Sequence, residues 1–151
     1  MALQVGNTAP DFTVKDHKGN IVKLSAFKGV SPVVLIFYPG DETPGCTIQL
    51  CSARDDYDKY REAGVEVFGV NQADQEKHTR FVAKHKLKTP LLVDRNYAIS
   101  EKYDALMKLG PMRLINRTVV GIDTEGKIVF YKRGMPSTAE ILSSFKVVKA
   151  Q

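Results

Sequence analysis

Residues 33–44 read Val33-Val34-Leu35-Ile36-Phe37-Tyr38-Pro39-Gly40-Asp41-Glu42-Thr43-Pro44. The run Val33–Tyr38 has no charged or strongly polar break, the pattern of a central strand buried on both faces. Pro39-Gly40-Asp41-Glu42 then ends it. Thr43 is a favoured N-cap, and Pro44 suits the first helical position, where its missing N–H costs nothing. The spacing predicts a helix from there to about Ala63, with Gly64 as its C-terminal stop. Val65–Val70 is the next apolar run. Strand, helix and strand in this order form a βαβ unit, and that unit decides the fold class.

The rest of the chain builds on it. Upstream, Phe12–Lys15 and Ile21–Lys23 flank the turn Asp16-His17-Lys18-Gly19-Asn20, which predicts a hairpin. Downstream, Asp74 caps a helix predicted to about Lys86. Pro90–Val93 reads as a short strand, and Asp94 as the cap of a helix to about Tyr103. Lys108–Asn116 reads as an irregular loop. Arg117–Asp123 and Lys127–Arg133 bracket Thr124-Glu125-Gly126 as a second hairpin. Ser137 and Glu140 form a capping-box pattern for a last helix, whose Ile141, Leu142, Phe145 and Val148 recur at helical spacing. The expected architecture is α/β, a central mixed sheet flanked by helices on both faces, with an N-terminal β-hairpin. In such sheets the site lies outside the C-terminal ends of the strands, where the Tyr38–Cys46 loop falls.

Composition narrows the function classes. The 151 residues are 43% hydrophobic and 26% charged, which argues for one globular domain over residues 1–151 and against disorder. No repeat or linker divides them. The longest solid apolar run, Val33–Phe37, is far too short to span a membrane. The N-terminal residues show no basic and apolar signal pattern, so the expected compartment is the cytoplasm, with an organelle stroma as the alternative after removal of a transit peptide. The net charge is +5. Its densest basic stretch, Lys84-His85-Lys86-Leu87-Lys88, has no interleaved aromatics and reads as a solvated helix end. No nucleic-acid or membrane partner is expected.

Only two cysteines are present, Cys46 and Cys51. They cannot make a disulfide framework, and in a reducing compartment a disulfide is transient and catalytic. At about 100° per residue, Cys46, Leu50, Ala53, Tyr57 and Tyr60 share one helical stripe that should face the core. Cys46 falls in the first turn, where unpaired N–H groups and the positive end of the helix dipole favour a thiolate. Such positions lower a cysteine pKa from about 8.5 to between about 3.5 and 7.5. Position alone leaves two readings, a reactive thiolate and a small buried hydrophobe. Cys51 lies roughly 140° around the helix, on its flank. In an intact helix the two Cα atoms stand roughly 8.5 Å apart, beyond disulfide reach, so a bond between them requires local unwinding. That behaviour suits a nucleophile that is oxidised and then resolved by its neighbour, and does not suit a permanent staple. His17, His78 and His85 lack zinc-site spacing and read as surface residues. There is no Cys-x-x-Cys pair and no glycine-rich phosphate loop.

The stretch Tyr38-Pro39-Gly40-Asp41-Glu42-Thr43-Pro44-Gly45-Cys46-Thr47 resembles the active-site loop of peroxiredoxins, with Pro39, Thr43 and Cys46 at the family's pattern positions. Thr43-Pro44-Gly45-Cys46-Thr47 followed by Cys51 is similar to the bacterioferritin comigratory protein, or peroxiredoxin Q, subgroup. Gly6-Asn7-Thr8-Ala9-Pro10-Asp11-Phe12, Cys51-Ser52-Ala53-Arg54-Asp55 and Gly121–Ile128 extend the likeness over nearly the whole chain. The resemblance implies a thioredoxin-like fold and a peroxidase acting on hydrogen peroxide and organic hydroperoxides. It implies Cys46 as the peroxidatic and Cys51 as the resolving cysteine, joined in an intramolecular disulfide that thioredoxin or a similar dithiol reduces. Thr43 would hydrogen-bond the thiolate or the peroxide, Pro39 would shield the pocket, and Gly45 would contribute to it. Arg117 occupies the place of the family's late-strand arginine, and Arg54 is an alternative second charge. No metal or other cofactor is implied. With no cysteine after Cys51, an obligatory intersubunit disulfide is not expected, and the chain is expected to act as a monomer. Two rival readings are a thioredoxin-fold thiol–disulfide reductase and a redox-switched binding module.

Overall fold

The structure is a computed structural model that describes residues 3–149, without the side chains of Cys46 and residues 146–149. Its centre is strand β3 (Val33–Phe37), every residue of which is buried. The strand is buried because both its edges are paired. On one side it runs parallel to β4 (Glu66–Asn71), and on the other antiparallel to β8 (Thr118–Ile122). Strand β5 (Leu91–Val93) extends the sheet beyond β4, and β9 (Ile128–Arg133) extends it beyond β8, giving the order β5-β4-β3-β8-β9. The expected mixed sheet is therefore present.

Alternation along β3 feeds two cores. Val33, Leu35 and Phe37 face one layer with Phe68, Val70, Leu92, Val120 and Ile122. Val34, Ile36 and Tyr38 face the other with Val67, Leu91 and Val119. The second layer is covered by helices: Leu50 and Ala53 of α1 (Pro44–Asp55), Tyr60 of α2 (Tyr57–Glu62), Phe81 of α3 (Gln75–His85), and Ile141 and Phe145 of α5 (Thr138–Lys149). The first layer is covered by Ile99 of α4 (Ala98–Lys102) and by the hairpin β1 (Thr13–Lys15) and β2 (Ile21–Lys23). Helices thus lie on both faces, unevenly. Each large side chain taken out of water here contributes roughly 1.5–3 kcal/mol. Gly69 of β4 has a packing reason: a Cβ there would stand 2.6 Å from Leu91 Cδ2 and 3.3 Å from Leu50 Cδ1. The glycine lets α1 lie close on the sheet.

The structure departs from the sequence expectations in four places. The helix expected to run to Ala63 breaks at Asp56 (φ −97°, ψ 11°), whose carboxylate accepts a hydrogen bond from the Thr138 hydroxyl at 2.7 Å. That partner is distant in sequence, and nothing local announces it. Lys108–Asn116 is not irregular: β6 (Leu106–Leu109) and β7 (Met112–Ile115) pair antiparallel across Gly110, which takes φ +59°. This hairpin is mostly exposed, so it lacks the burial alternation that marks a strand. Asp94 caps α4 across an intervening tight turn, accepting the Ile99 and Ser100 amides at 2.7 and 3.0 Å. Finally, His17 and His78 are buried rather than superficial. Val148 of the expected last stripe lies outside the described side chains.

Candidate active site

Three chain segments meet at one end of the sheet. Tyr38 follows β3 directly, Asn71 ends β4, and Thr118 opens the antiparallel β8 opposite Phe37. The residue before Thr118, Arg117, is therefore delivered to the same end as the loop after Tyr38. The expectation that the site sits beyond the carboxyl ends of the parallel strands fits this layout.

From Tyr38 the chain turns through residues 39–43 into α1. Pro44 takes the first helical position and Thr43 the N-cap position, with extended dihedrals. The Thr43 hydroxyl does not cap the helix; it donates to the Gly40 carbonyl at 3.0 Å and so braces the loop instead. The first backbone bond across the helix start is Thr47 N–H to Thr43 O at 2.8 Å. The amides of Gly45 and Cys46 lie ahead of that rung, where a helix accommodates negative charge. Cys46 is the third residue of α1, as expected, though its side chain is outside the described set. Pro39 and Gly45 are both half-buried around this turn.

Arg117 brings the positive charge. Its Nη1 donates to Gln49 Oε1 at 2.7 Å. Its Nη2 lies so close to Gly45 that a Cβ there would stand 3.1 Å away. A guanidinium is therefore packed on the first turn of α1, the turn that carries Cys46. A glycine at position 45 is what makes room for it. Gln49 is itself buried and steers the fork, a role missed in the sequence. The available signal was its place one turn after Cys46 on the same helix.

Cys51 lies on the flank of α1, half-buried and packed against the second core layer, as the helical geometry predicts. Both cysteines belong to one unbroken helix, Pro44–Asp55. Their separation in a regular helix exceeds disulfide reach. Arg54 is engaged elsewhere: its Nη1 donates to the His85 carbonyl at 2.6 Å and its Nε to Asp55 at 3.0 Å. It ties α1 to the end of α3.

A second group, also missed in the sequence, lies under the loop. The Tyr38 hydroxyl donates to Asp41 Oδ1 at 2.6 Å. His78 Nδ1 of α3 stands 2.7 Å from Asp41 Oδ2, and both side chains are 0% exposed. Among the described residues no group of three or more His, Cys, Asp or Glu is arranged to hold a metal ion.

Comparisons with known proteins show the family. Residues 5–131 match the AhpC/TSA family. The chain belongs to that family. It is 40% identical to Peroxiredoxin Bcp of Bacillus subtilis (strain 168) over 133 residues, covering 85% of this chain and 84% of that protein. It is 48% identical to the chloroplastic Peroxiredoxin Q of Triticum aestivum over 98 residues, which is 65% of this chain and 45% of the relative. The match thus spans about half the length of the plant peroxiredoxin Q relatives. In structure the chain is similar to the peroxidoxin BcpB of Mycobacterium tuberculosis, with a TM-score of 0.88, 26% identity and coverage of 97% and 98% of the two chains. The thioredoxin-like fold and the peroxiredoxin Q/Bcp kinship expected from the loop motif are both upheld.

Proposed function

We propose that this chain is a thiol-dependent peroxidase that reduces hydrogen peroxide and organic hydroperoxides. The observation that carries the reading is the first turn of α1. It carries Cys46 beside Gly45, against which the Arg117 guanidinium packs, with Cys51 in the same helix.

The chemistry follows from those placements. Helix N–H groups and the guanidinium favour the Cys46 thiolate over the thiol. A lowered pKa by itself weakens a nucleophile, so the site must also stabilise the transition state. Arg117 and the amides of Gly45 and Cys46 supply donors for the two peroxide oxygens, and Thr43 adds a hydroxyl on loop rearrangement. The Cys46 sulfur attacks one oxygen of the peroxide and the O–O bond breaks. The other oxygen leaves as an alkoxide or hydroxide and takes up a proton, giving alcohol or water. Cys46 is left as a sulfenic acid, oxidised by two electrons, while the peroxide is reduced by two. The first turns of α1 then unwind. The Cys51 sulfur attacks the sulfenic sulfur, forming the S–S bond and releasing water. A dithiol, with thioredoxin as the expected donor, exchanges with the disulfide and restores both thiols. Because the disulfide forms within one chain, a monomer completes the cycle. The cytoplasm, or an organelle stroma as the alternative, supplies the reductant.

The test is intact mass against time after one equivalent of hydrogen peroxide. The wild type should lose two hydrogens, Cys51→Ser should trap one added oxygen, and Cys46→Ser should stay unchanged. Oxidation of the wild type no faster than a free thiol overturns the reading. Turnover of many peroxide equivalents with thioredoxin separates an enzyme from a switch that reacts once.

A further inference from the structure

We propose that Asp41 and His78 are positioning residues that anchor the loop before Cys46, so that the unwinding needed for resolution is confined to α1. This rests on the peroxidase reading above.

The anchor is a closed set of buried hydrogen bonds joining the loop to β4, β5 and α3. His78 Nε2 stands 3.2 Å from the Asn71 carbonyl oxygen and 3.1 Å from that of Leu92. Carbonyl oxygens only accept, so Nε2 carries a proton and donates to the last residue of β4 and the middle residue of β5. The other ring nitrogen faces the Asp41 carboxylate, which also accepts the Tyr38 hydroxyl. The Asn71 amide donates to the Tyr38 carbonyl at 2.8 Å, and Asn71 Oδ1 accepts the Ala73 amide at 2.9 Å. Tyr38, Asp41, Asn71 and His78 are all buried. The loop is thereby fixed to the sheet at Tyr38 and to α3 at Asp41.

A second tie lies beyond the cysteines. Arg54 of α1 donates to the His85 carbonyl at the end of α3. One helix, α3, therefore grips the redox segment at Asp41 and at Arg54. Both Cys46 and Cys51 lie between the two grips. A stretch bounded this way can unwind and rewind without undocking its ends. The peroxide pocket, built from the loop, is then re-formed in register each cycle. Buried polar networks fix one arrangement when every member is paired, as this one is.

The test measures two steps separately on the full chain by rapid quench and mass: sulfenic acid formation, and condensation with Cys51. Asp41→Asn and His78→Leu should slow the first step about tenfold, the loss expected when one or two buried hydrogen bonds go. The second step should hold or quicken. Tyr38→Phe should move both in the same directions by less. Leu87→Ala, in the same core but away from the loop, serves as a control of similar melting temperature and should leave the ratio of the two steps as in the wild type. A fall of both steps together, or a peroxide step within about twofold of the wild type in the Asp41 and Tyr38 variants, overturns the proposal. Hydrogen exchange on the reduced chain reads the anchor without peroxide. The amides of Thr43 and residues 45–47 should exchange faster in His78→Leu and Asp41→Asn. Faster exchange with an inert wild-type thiol would sink the peroxidase reading alone. Unchanged exchange sinks the anchor. If His78→Leu does not fold, Tyr38→Phe and Asp41→Asn decide both readouts.

Discussion

Helix α3 holds the redox loop through two neighbouring acidic residues, and the two contacts differ in kind. Asp41 meets His78 with both side chains fully buried. Glu42 meets Lys84 Nζ and His85 Nε2 at 3.0 Å each, with the Lys84 side chain 66% and that of Glu42 40% exposed. Adjacent in sequence and gripped by the same helix, the two carboxylates do not do equal work. A buried pair that loses one member leaves an uncompensated polar group, whereas an exposed pair hands its groups back to water. The loop is therefore fixed by Asp41, and Glu42 decorates it.

The sharpest way to break this contrast is Asp41→Ala. It removes the Asp41 carboxylate from His78 Nδ1 at a site where both side chains are fully buried. Leaving a buried hydrogen-bonding group without its partner costs about 1–3 kcal/mol. Urea unfolding should show it as a lowered midpoint at unchanged slope. The double variant Asp41→Ala/His78→Leu should cost less than the two single losses added, because the second change removes the group the first left unpaired. A cost for Asp41→Ala below about 1 kcal/mol, the range of an exposed pair, would erase the distinction.

A second buried histidine sharpens it. His17 accepts the Leu91 amide at Nδ1, 3.2 Å away, and among the described residues no carboxylate pairs with its ring as Asp41 does with that of His78. Burial lowers its pKa below the ordinary 6.5, with Lys18 and His78 adding to the fall and Asp16 opposing it. The neutral ring is the folded form. Its contribution is complete above pH about 6.5 and is lost as pH falls below that, because the unfolded chain takes the proton first. Stability should decline toward pH 5.5 with a slope of at most about 1.4 kcal/mol per pH unit from this group. His17→Gln keeps an acceptor without the titration and should flatten that decline in urea midpoints taken between pH 7.5 and 5.5. A decline as steep as in the wild type would assign it to another group.

These side chains also mark where sequence reading stops. The strand, loop and helix from Val33 to Asp55 are legible because each rests on local rules: an unbroken apolar run, a Pro-Gly break, a proline at the first helical position. Cys46 and Arg117 are legible through the loop motif and through the strand order that returns β8 beside β3. Gln49 escapes because nothing in its own neighbourhood says that an arginine 68 residues away will lean on it. His78 escapes because a histidine among Glu76, Lys77 and Arg80 looks solvated. Only its spacing to Phe81 and His85 on α3 hints at a packed face. The break at Asp56 escapes for the same reason as Gln49, since its partner Thr138 is brought by the fold.

Glu42 carries the smallest expected effect and tests the comparison from the other side. Its backbone sits at φ +67°, a region that side-chain-bearing residues seldom adopt, so the turn already works against this position. Its carboxyl is held below the usual carboxylate range, first by the hydrogen bond from Lys84 and then by that from His85. The sign follows: the contribution is present above the ordinary carboxylate pKa and disappears as pH falls through the lowered value. At pH 7 it is intact but solvent-screened. Glu42→Gln should leave the urea midpoint and the rate of Cys46 oxidation at wild-type values, and added salt should change neither. If it instead slows the peroxide step as much as Asp41→Asn does, the loop is held from its surface, and burial is not what separates the two contacts.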